Sequence, residues 1–255
     1  MISKRPLRAM ANRWTCLALL VSFLVTSCAA VKEDRRACPC ELALHLSGPG
    51  PIEYRVESVD GEVFHAGSVQ RDTVIYRDVP RSRVRIMAVS GAPLGDGVHI
   101  PYGSQSPPLY LYHGVISAQS EALRVNATLH KNFCRLTLVL DGPPGDGEPI
   151  GISVRGVVDG ISLDGRPAPG DFSCKAVSGV CSLPRQAPSD RLLLDIVMED
   201  KVVRTFALGT YIREAGYDWT GTDLEDITIH ISLSVTHIRF RIGDWSEEQC
   251  ISVEI

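Results

Sequence analysis

Cysteines are the residues of this sequence whose type and spacing could do the most chemistry, through disulfides, metal binding or acylation. The chain has eight of them. Cys16 lies inside an apolar run and Cys28 follows it, which leaves Cys38, Cys40, Cys134, Cys174, Cys181 and Cys250. An even set of this kind is compatible with three disulfides in an oxidising compartment. The easiest pair is Cys174 with Cys181, because Ser178 and Gly179 favour a turn between them.

The motif "CPC", from Cys38 to Cys40, offers an alternative to a disulfide framework. A redox motif of the thioredoxin type has two residues between its cysteines, and a structural zinc site requires a second pair of ligands with suitable spacing. The sequence meets neither condition. We therefore predict structural disulfides, with no metal and no other cofactor.

Histidines and carboxylates form no catalytic pattern in this sequence. It has no G-x-S-x-G, no H-E-x-x-H and no phosphate-binding glycine loop. Asp195, Glu199 and Asp200 cluster at a predicted hairpin, where turns collect acids for backbone hydrogen bonding. The histidines are scattered, mostly within or beside strand patterns: His45, His65, His99, His113, His130, His230 and His237. We therefore predict a protein that is not an enzyme and has no catalytic residue and no metal site.

Three tyrosines flank the segment "GAPLGDGVHIPYGSQSPP", Gly91 to Pro108. Glycine and proline are dense in this segment, which predicts an exposed loop. Tyr102, Tyr110 and Tyr112 could stack against a sugar ring, or could simply anchor the loop. Contact with a carbohydrate is therefore one hypothesis for this region.

The first 27 residues have the layout of a bacterial export signal. A basic start with four Lys or Arg residues precedes the apolar stretch from Cys16 to Val25, which is too short to span a bilayer. The sequence "VTSC" that follows resembles a lipobox, which predicts cleavage between Ser27 and Cys28 and acylation of Cys28, for instance with palmitate. Two or three acyl chains hold a protein stably on a membrane. Residues 28–37 are then a charged tether.

Removal of residues 1–27 makes the remaining chain acidic. The leader holds four of the 26 Lys and Arg residues and no acid, so the net charge becomes 22 − 30 = −8. This balance argues against nucleic acid as a partner. Because no second long apolar run exists, the lipid would be the membrane attachment. The acids soon after Cys28 resemble the surface-export signals of some Gram-negative lipoproteins, which favours the outer-membrane surface over the alternative, the periplasm.

Alternation of apolar and polar residues runs through most of the remaining sequence and predicts an all-β fold. "CELALHLSG", "RVRIMAVSG" and "CRLTLVLDG" are examples in the first half, and "DITIHISLSV", "HIRFRIGDW" and "CISVEI" in the second. The turn-rich "DGPPGDGEP" separates the halves, which predicts β-sandwich domains over residues 38–141 and 149–255. Only "YIREAGY" and "TDLED" are compatible with a helical turn.

The order of these parts resembles a known family. A lipobox cysteine, the tether "KEDRRACP", the strands "CELALHLSG" and "RVRIMAVSG", a Pro/Gly turn, and a terminal block "YDWTGTDLEDITIHISL" with "IRFRIGDW" follow one another. This order is similar to that of the FimB-type fimbrial anchor and fimbrillin-like lipoproteins of type V fimbriae. The resemblance covers most of residues 20 to 250.

The resemblance implies two tandem transthyretin-like β-sandwich domains and a lipid-anchored subunit that attaches or terminates a fimbrial shaft at the outer membrane. Shaft subunits would be its partners through β-strand complementation, with the last strand, containing Ile251, Val253 and Ile255, as the candidate exchange edge. In shaft and tip subunits of such fimbriae, proteolysis after a basic residue removes the first strand. Here Arg35 and Arg36 lie before the first strand and other arginines lie further along, so the sequence leaves open whether this chain is cut. The alternatives are a surface glycan-binding lipoprotein and an accessory or tip subunit with an adhesive role.

Overall fold

The alternating sequence pattern forms β-structure almost throughout the part of the chain that the structure describes. The computed structural model describes residues 38–141, 151–188, 191–233, 237–242 and 249–254, which confirms the predicted all-β class. The division into domains of residues 38–141 and 149–255 stays a prediction. The elements are β1 (Cys40–Ser47), β2 (Ile52–Ser58), β3 (Val63–Val69), β4 (Thr73–Val79), β5 (Arg83–Ser90), β6 (Gly97–His99), β7 (Tyr110–Ser117), β8 (Ala122–Thr128), β9 (His130–Lys131), β10 (Phe133–Asp141), β11 (Gly151–Ser162), β12 (Pro167–Lys175), β13 (Val180–Pro184), β14 (Leu193–Met198), β15 (Lys201–Phe206), α1 (Leu208–Glu214), β16 (Ile227–Leu233), β17 (His237–Ile242) and β18 (Gln249–Glu254).

Hydrogen bonding joins these strands into four sheets. Two sheets belong to the first half of the chain, with the orders β4-β1-β8 and β3-β2-β5-β7-β9. The other two have the orders β13-β10-β16-β17-β18 and β12-β11-β14-β15, and β6 also pairs with β11. Most neighbours are antiparallel, but β1 is parallel to β8 and β10 is parallel to β16.

Strand β1 lies in the middle of its three-stranded sheet. Leu42, Leu44 and Leu46 alternate along it, and all three side chains are fully buried. Leu44 is paired with Val74 of β4 on one side and with Val125 of β8 on the other. The first strand of the described part of the chain is therefore a central part of the core that surrounds it.

Buried side chains form two hydrophobic clusters. The first cluster contains the β1 leucines, and the second contains residues of β10, β11, β12, β13, β14 and β16. Strand β5 contributes to both, because Ile86 and Ala88 pack in the first cluster while Met87 and Val89 pack in the second. The sequence pattern places Met87 on the polar face of β5. Met87 is nevertheless buried, because both faces of this strand are covered.

The prediction of an exposed loop from Gly91 to Pro108 is wrong for the first half of this segment. Leu94, Val98 and Ile100 are buried in the second cluster. Strand β6 pairs with the distant strand β11, and Val98 is opposite Ile161 in this pairing. Gly160 permits this approach, since a Cβ atom there would lie 1.7 Å from the backbone oxygen of Val98. The glycines and prolines of this segment thus shape a packed connection.

One of the two predicted helical turns is confirmed. Helix α1 covers part of "YIREAGY" and buries Leu208 and Ile212, which lie one turn apart. The other turn, in "TDLED", is not helical. There the carboxylates of Asp223 and Asp226 accept backbone N–H hydrogen bonds from Lys131 and Arg135, at 2.6 and 2.8 Å. These bonds hold the segment against the chain around β9 and β10.

The predicted disulfide between Cys174 and Cys181 is present and joins β12 to β13, with 6.7 Å between the Cα atoms. Cys40 and Cys134 carry buried thiols, and Cys38 is exposed. Burial raises the pKa of Cys134 to about 12 and also raises the pKa of Cys40, so both are protonated at neutral pH. The side chain of Cys250 lies outside the described part of the chain. Further disulfides therefore stay a prediction.

Replacement of both Cys174 and Cys181 by alanine should lower the free energy of unfolding by about 2–4 kcal/mol. The reason is that the cross-link restricts the unfolded chain and both sulfur atoms are buried. Denaturant unfolding with and without a reductant measures this effect. The reductant should destabilise the native sequence and leave the double variant unchanged. Equal sensitivity of the two proteins to the reductant would contradict the prediction.

Candidate functional site

The predicted exchange strand lies at the edge of a sheet. Among the described strands, β18 pairs with β17 alone, in antiparallel register with Ile251 opposite Phe240 and Val253 opposite Ile238. Ile255 lies outside the described residues. An edge strand presents unpaired N–H and C=O groups along its free side, which can pair with an extended segment of another chain.

Strand β1 lies between β4 and β8 in its sheet. Its backbone is paired on both sides over most of its length, from Cys40 to His45 with β4 and from Glu41 to Ser47 with β8. The described chain therefore has its first strand in place. The basic residues Arg35 and Arg36, the cleavage pair Ser27 and Cys28, and the whole tether before Cys38 lie outside the described part of the chain.

The structure separates the three tyrosines of the carbohydrate hypothesis. Tyr102 is 72% exposed. Tyr110 and Tyr112 are partly buried and pack against the first hydrophobic cluster, and Tyr110 also makes an edge contact with Phe133. Burial raises the pKa of Tyr112. Of the three, Tyr102 has the ring surface that a ligand could reach.

Tyr102 is held at the border of the sheet β12-β11-β14-β15 by the chain on either side of it. The Gly103 N–H donates to the Ser173 carbonyl at 2.9 Å, and the Ser106 N–H donates to the Ser182 carbonyl at 2.9 Å. Gly103 has a φ of +84°, a conformation that glycine adopts without strain. The ring is thus carried by a segment tied to β12 and β13.

Tyr102 borders a groove of about 550 Å³ in this sheet. Arg155 of β11 and Leu193 of β14, which are opposite each other in register, line the groove. Val157, Asp171 and Arg191 also line it. Its volume is in the range of small-molecule sites, about 300–1,000 Å³, and its lining mixes apolar and charged groups.

A buried carboxylate orients Arg155. The Arg155 Nε donates to Asp195 Oδ2 at 2.6 Å, and the Arg155 Nη2 donates to Asp195 Oδ1 at 3.3 Å. The Thr205 hydroxyl also donates to Asp195 Oδ1, at 2.6 Å. Burial opposes ionisation of Asp195, but the hydrogen bonds from Arg155 and Thr205 outweigh it and lower the pKa. The hydrogen bond to Asp195 raises the pKa of Arg155. Both groups are therefore charged at neutral pH, and the guanidinium is fixed in direction.

The three predicted hairpin acids do not form a pair for acid and base chemistry. Asp195 is occupied by Arg155 and Thr205, whereas Glu199 and Asp200 are exposed at the turn between β14 and β15. Glu199 and Asp200 have φ values of +50° and +59°. They also line a separate cavity of about 320 Å³ with Lys175.

Most of the described histidines pair with one neighbour each. His45 bonds to Thr73, His65 to Asp78, His99 to Asp159 and His130 to Asp223, at distances from 2.8 to 3.2 Å. Within the described ranges, no group of three His, Cys, Asp or Glu side chains could hold a metal ion. The described helix is too short and too polar to cross a membrane.

Comparison with known proteins gives matches in structure. No protein-family profile matches this chain, and a search of curated proteins found no match. The fimbrial anchor protein Mfa2 from Porphyromonas gingivalis is similar, with a TM-score of 0.62 and 12% identity, over 82% of this chain and 98% of that one. A proposed adhesin from Bacteroides ovatus has a TM-score of 0.59 and 12% identity, over 87% and 97% of the two chains.

A proposed polysaccharide-binding protein from Bacteroides thetaiotaomicron is also similar, with a TM-score of 0.59 and 10% identity, over 84% of this chain and 98% of that one. At these identities the comparisons establish a shared fold. The predicted resemblance to fimbrial anchor proteins is confirmed for the fold, since a fimbrial anchor is among the proteins that share it.

Proposed function

We propose that this protein is a lipid-anchored fimbrial subunit that attaches or terminates a fimbrial shaft at the surface of the outer membrane. The observation that carries the proposal is the fold shared with a fimbrial anchor protein over 82% of this chain and 98% of the other. The order of sequence motifs, from the lipobox to the strand "IRFRIGDW", supports the same role.

Attachment to the membrane rests on Cys28. After cleavage between Ser27 and Cys28, the thiol would be acylated, and each buried methylene contributes about 0.8 kcal/mol. Two or three such chains bind far more stably than one. The acidic balance of the remaining chain would keep it in solvent above the bilayer. No catalytic step is part of this role, and we infer that the protein is not an enzyme.

Attachment to the shaft rests on strand pairing. The free edge of β18 can pair with an extended segment of another subunit by main-chain hydrogen bonds. The alternate side chains would fix the register of this pairing. Strand β1 supports a terminal position, because it occupies the place between β4 and β8 from within the same chain. The partners would be shaft subunits of the fimbria.

Replacement of Cys28 by alanine tests the anchor. We expect the native protein, tagged and crosslinked in cells, to be recovered from membranes with a ladder of fimbrial partners. The variant should release the same ladder into the medium, because strand pairing is intact while the lipid is lost. Absence of partners from both forms would contradict the shaft role. Membrane retention of the variant with its partners would contradict the lipid anchor.

A further inference from the structure

The groove beside Tyr102 lies in a different sheet from the strand that we propose for anchoring. It lies in the sheet β12-β11-β14-β15, whereas the proposed exchange strand β18 lies in the sheet β13-β10-β16-β17-β18. Its features therefore need their own account, which does not depend on whether the protein anchors a fimbria.

Two kinds of surface meet in this groove. The Tyr102 ring and the side chains of Val157 and Leu193 supply apolar area, and Tyr102 is the most exposed of them. Arg155, Asp171 and Arg191 supply polar groups. A sugar ring has matching surfaces, with C–H groups on its faces and hydroxyl groups around its rim. An aromatic ring with a flat apolar face and a polar tip suits the faces of such a ligand.

The polar groups in the groove have hydrogen-bonding capacity to spare. Arg155 uses Nε and Nη2 on Asp195, and among the described residues its Nη1 has no partner. The side chains of Asp171 and Arg191 likewise make no hydrogen bond or ion pair within the described chain. Arginine offers several fixed donors and a carboxylate offers only acceptors. The groove can therefore donate hydrogen bonds to a ligand's hydroxyl groups and accept hydrogen bonds from them.

The charges around the groove balance. Asp195 neutralises Arg155, which leaves Asp171 and Arg191 as one negative and one positive group. The lining therefore has no net charge, and long-range attraction of an anion or a cation is weak because the contributions cancel. Its chemistry favours an uncharged ligand that is rich in hydroxyl groups.

We propose that this groove binds a neutral oligosaccharide, with one sugar ring against Tyr102 and hydroxyl groups hydrogen-bonded to Arg155 and Asp171. Arg191 supplies further donors at the border of the groove. The clamp between Asp195 and Arg155 fixes the direction of the guanidinium before the ligand arrives, which lowers the ordering cost of binding.

An array of neutral hexasaccharides tests the site with the full chain purified in detergent. The probes are hexasaccharides of glucose, mannose, galactose, xylose and N-acetylglucosamine, and an oligogalacturonate is the acidic probe. We expect the protein to bind at least one neutral probe. Tyr102→Ala should weaken this binding by roughly tenfold or more, as is usual for an aromatic anchor, while Tyr102→Phe keeps the ring and most of the affinity.

Two further variants and one control separate binding from folding. Asp171→Ala and Arg191→Ala should each weaken binding, since both groups are exposed and make no bond to the rest of the described chain. Ile75→Ala, at an exposed apolar residue of β4, should leave binding unchanged. Three results would overturn the proposal: no neutral probe bound, Tyr102→Ala binding as well as the native protein, or a preference for the oligogalacturonate.

Discussion

Replacement of Leu44 by aspartate should unfold the first hydrophobic cluster and lower the free energy of unfolding by more than about 4 kcal/mol. Leu44 has no exposed surface, and β1 is paired on both sides at this position. The substitution removes a buried side chain and places an unpaired carboxylate among leucines. Denaturant unfolding followed by circular dichroism measures the loss.

Ile75→Asp is the matched control for Leu44→Asp. Ile75 lies on the adjacent strand β4, opposite Ala43 of β1, but is 56% exposed. The same chemical change there should cost within about 1 kcal/mol, because the carboxylate stays in water. Equal and small losses for the two variants would show that β1 is not an essential part of the core. The strand would then be free to leave its place between β4 and β8, and the proposed terminal position would lose its structural support.

Removal of residues 249–255 should decrease recovery of the fimbrial partners by roughly tenfold or more. The physical reason is that main-chain pairing at the edge of β18 supplies the proposed contact with the shaft. The fold should survive, because β18 pairs only with β17 among the described strands. Crosslinked partners are measured as for the native protein, and circular dichroism checks that the remaining strands stay folded.

Two controls make the β18 result specific. Val203→Lys blunts the edge strand β15 of the other sheet and should leave partner recovery unchanged. Binding of the neutral hexasaccharide should also survive removal of β18, because the Tyr102 groove lies in the sheet that contains β15. Normal partner recovery without residues 249–255 would contradict strand exchange at this edge. Loss of both functions together would indicate a general loss of structure.

Local patterns in the sequence account for the features that were predicted correctly. Leu42, Leu44 and Leu46 indicate a strand because every second residue of a strand faces the same side. The Cys174–Cys181 pairing follows from a short spacing around a turn. Position of β18 at an edge could not be derived in this way, since the order of strands in a sheet depends on pairing between distant segments.

Tertiary structure alone decided where several residues lie. Met87 falls in the polar register of β5, yet it is buried because a second cluster covers that face of the strand. Val98 lies among glycines and prolines, yet it is buried because β6 pairs with the distant β11.

The candidate groove shows the same limit. The sequence identified Tyr102 as a residue able to contact a sugar, but it grouped Tyr102 with Tyr110 and Tyr112, which are partly buried. No local sequence pattern marks Arg155 and Asp171 as partners. They reach one groove only because β11 pairs with β12 and β14. The sequence by itself determined the strands and the Cys174–Cys181 disulfide, since each depends on neighbouring residues. The groove and the sheet edge depend on contacts between residues far apart in the chain, and only the tertiary structure could place them.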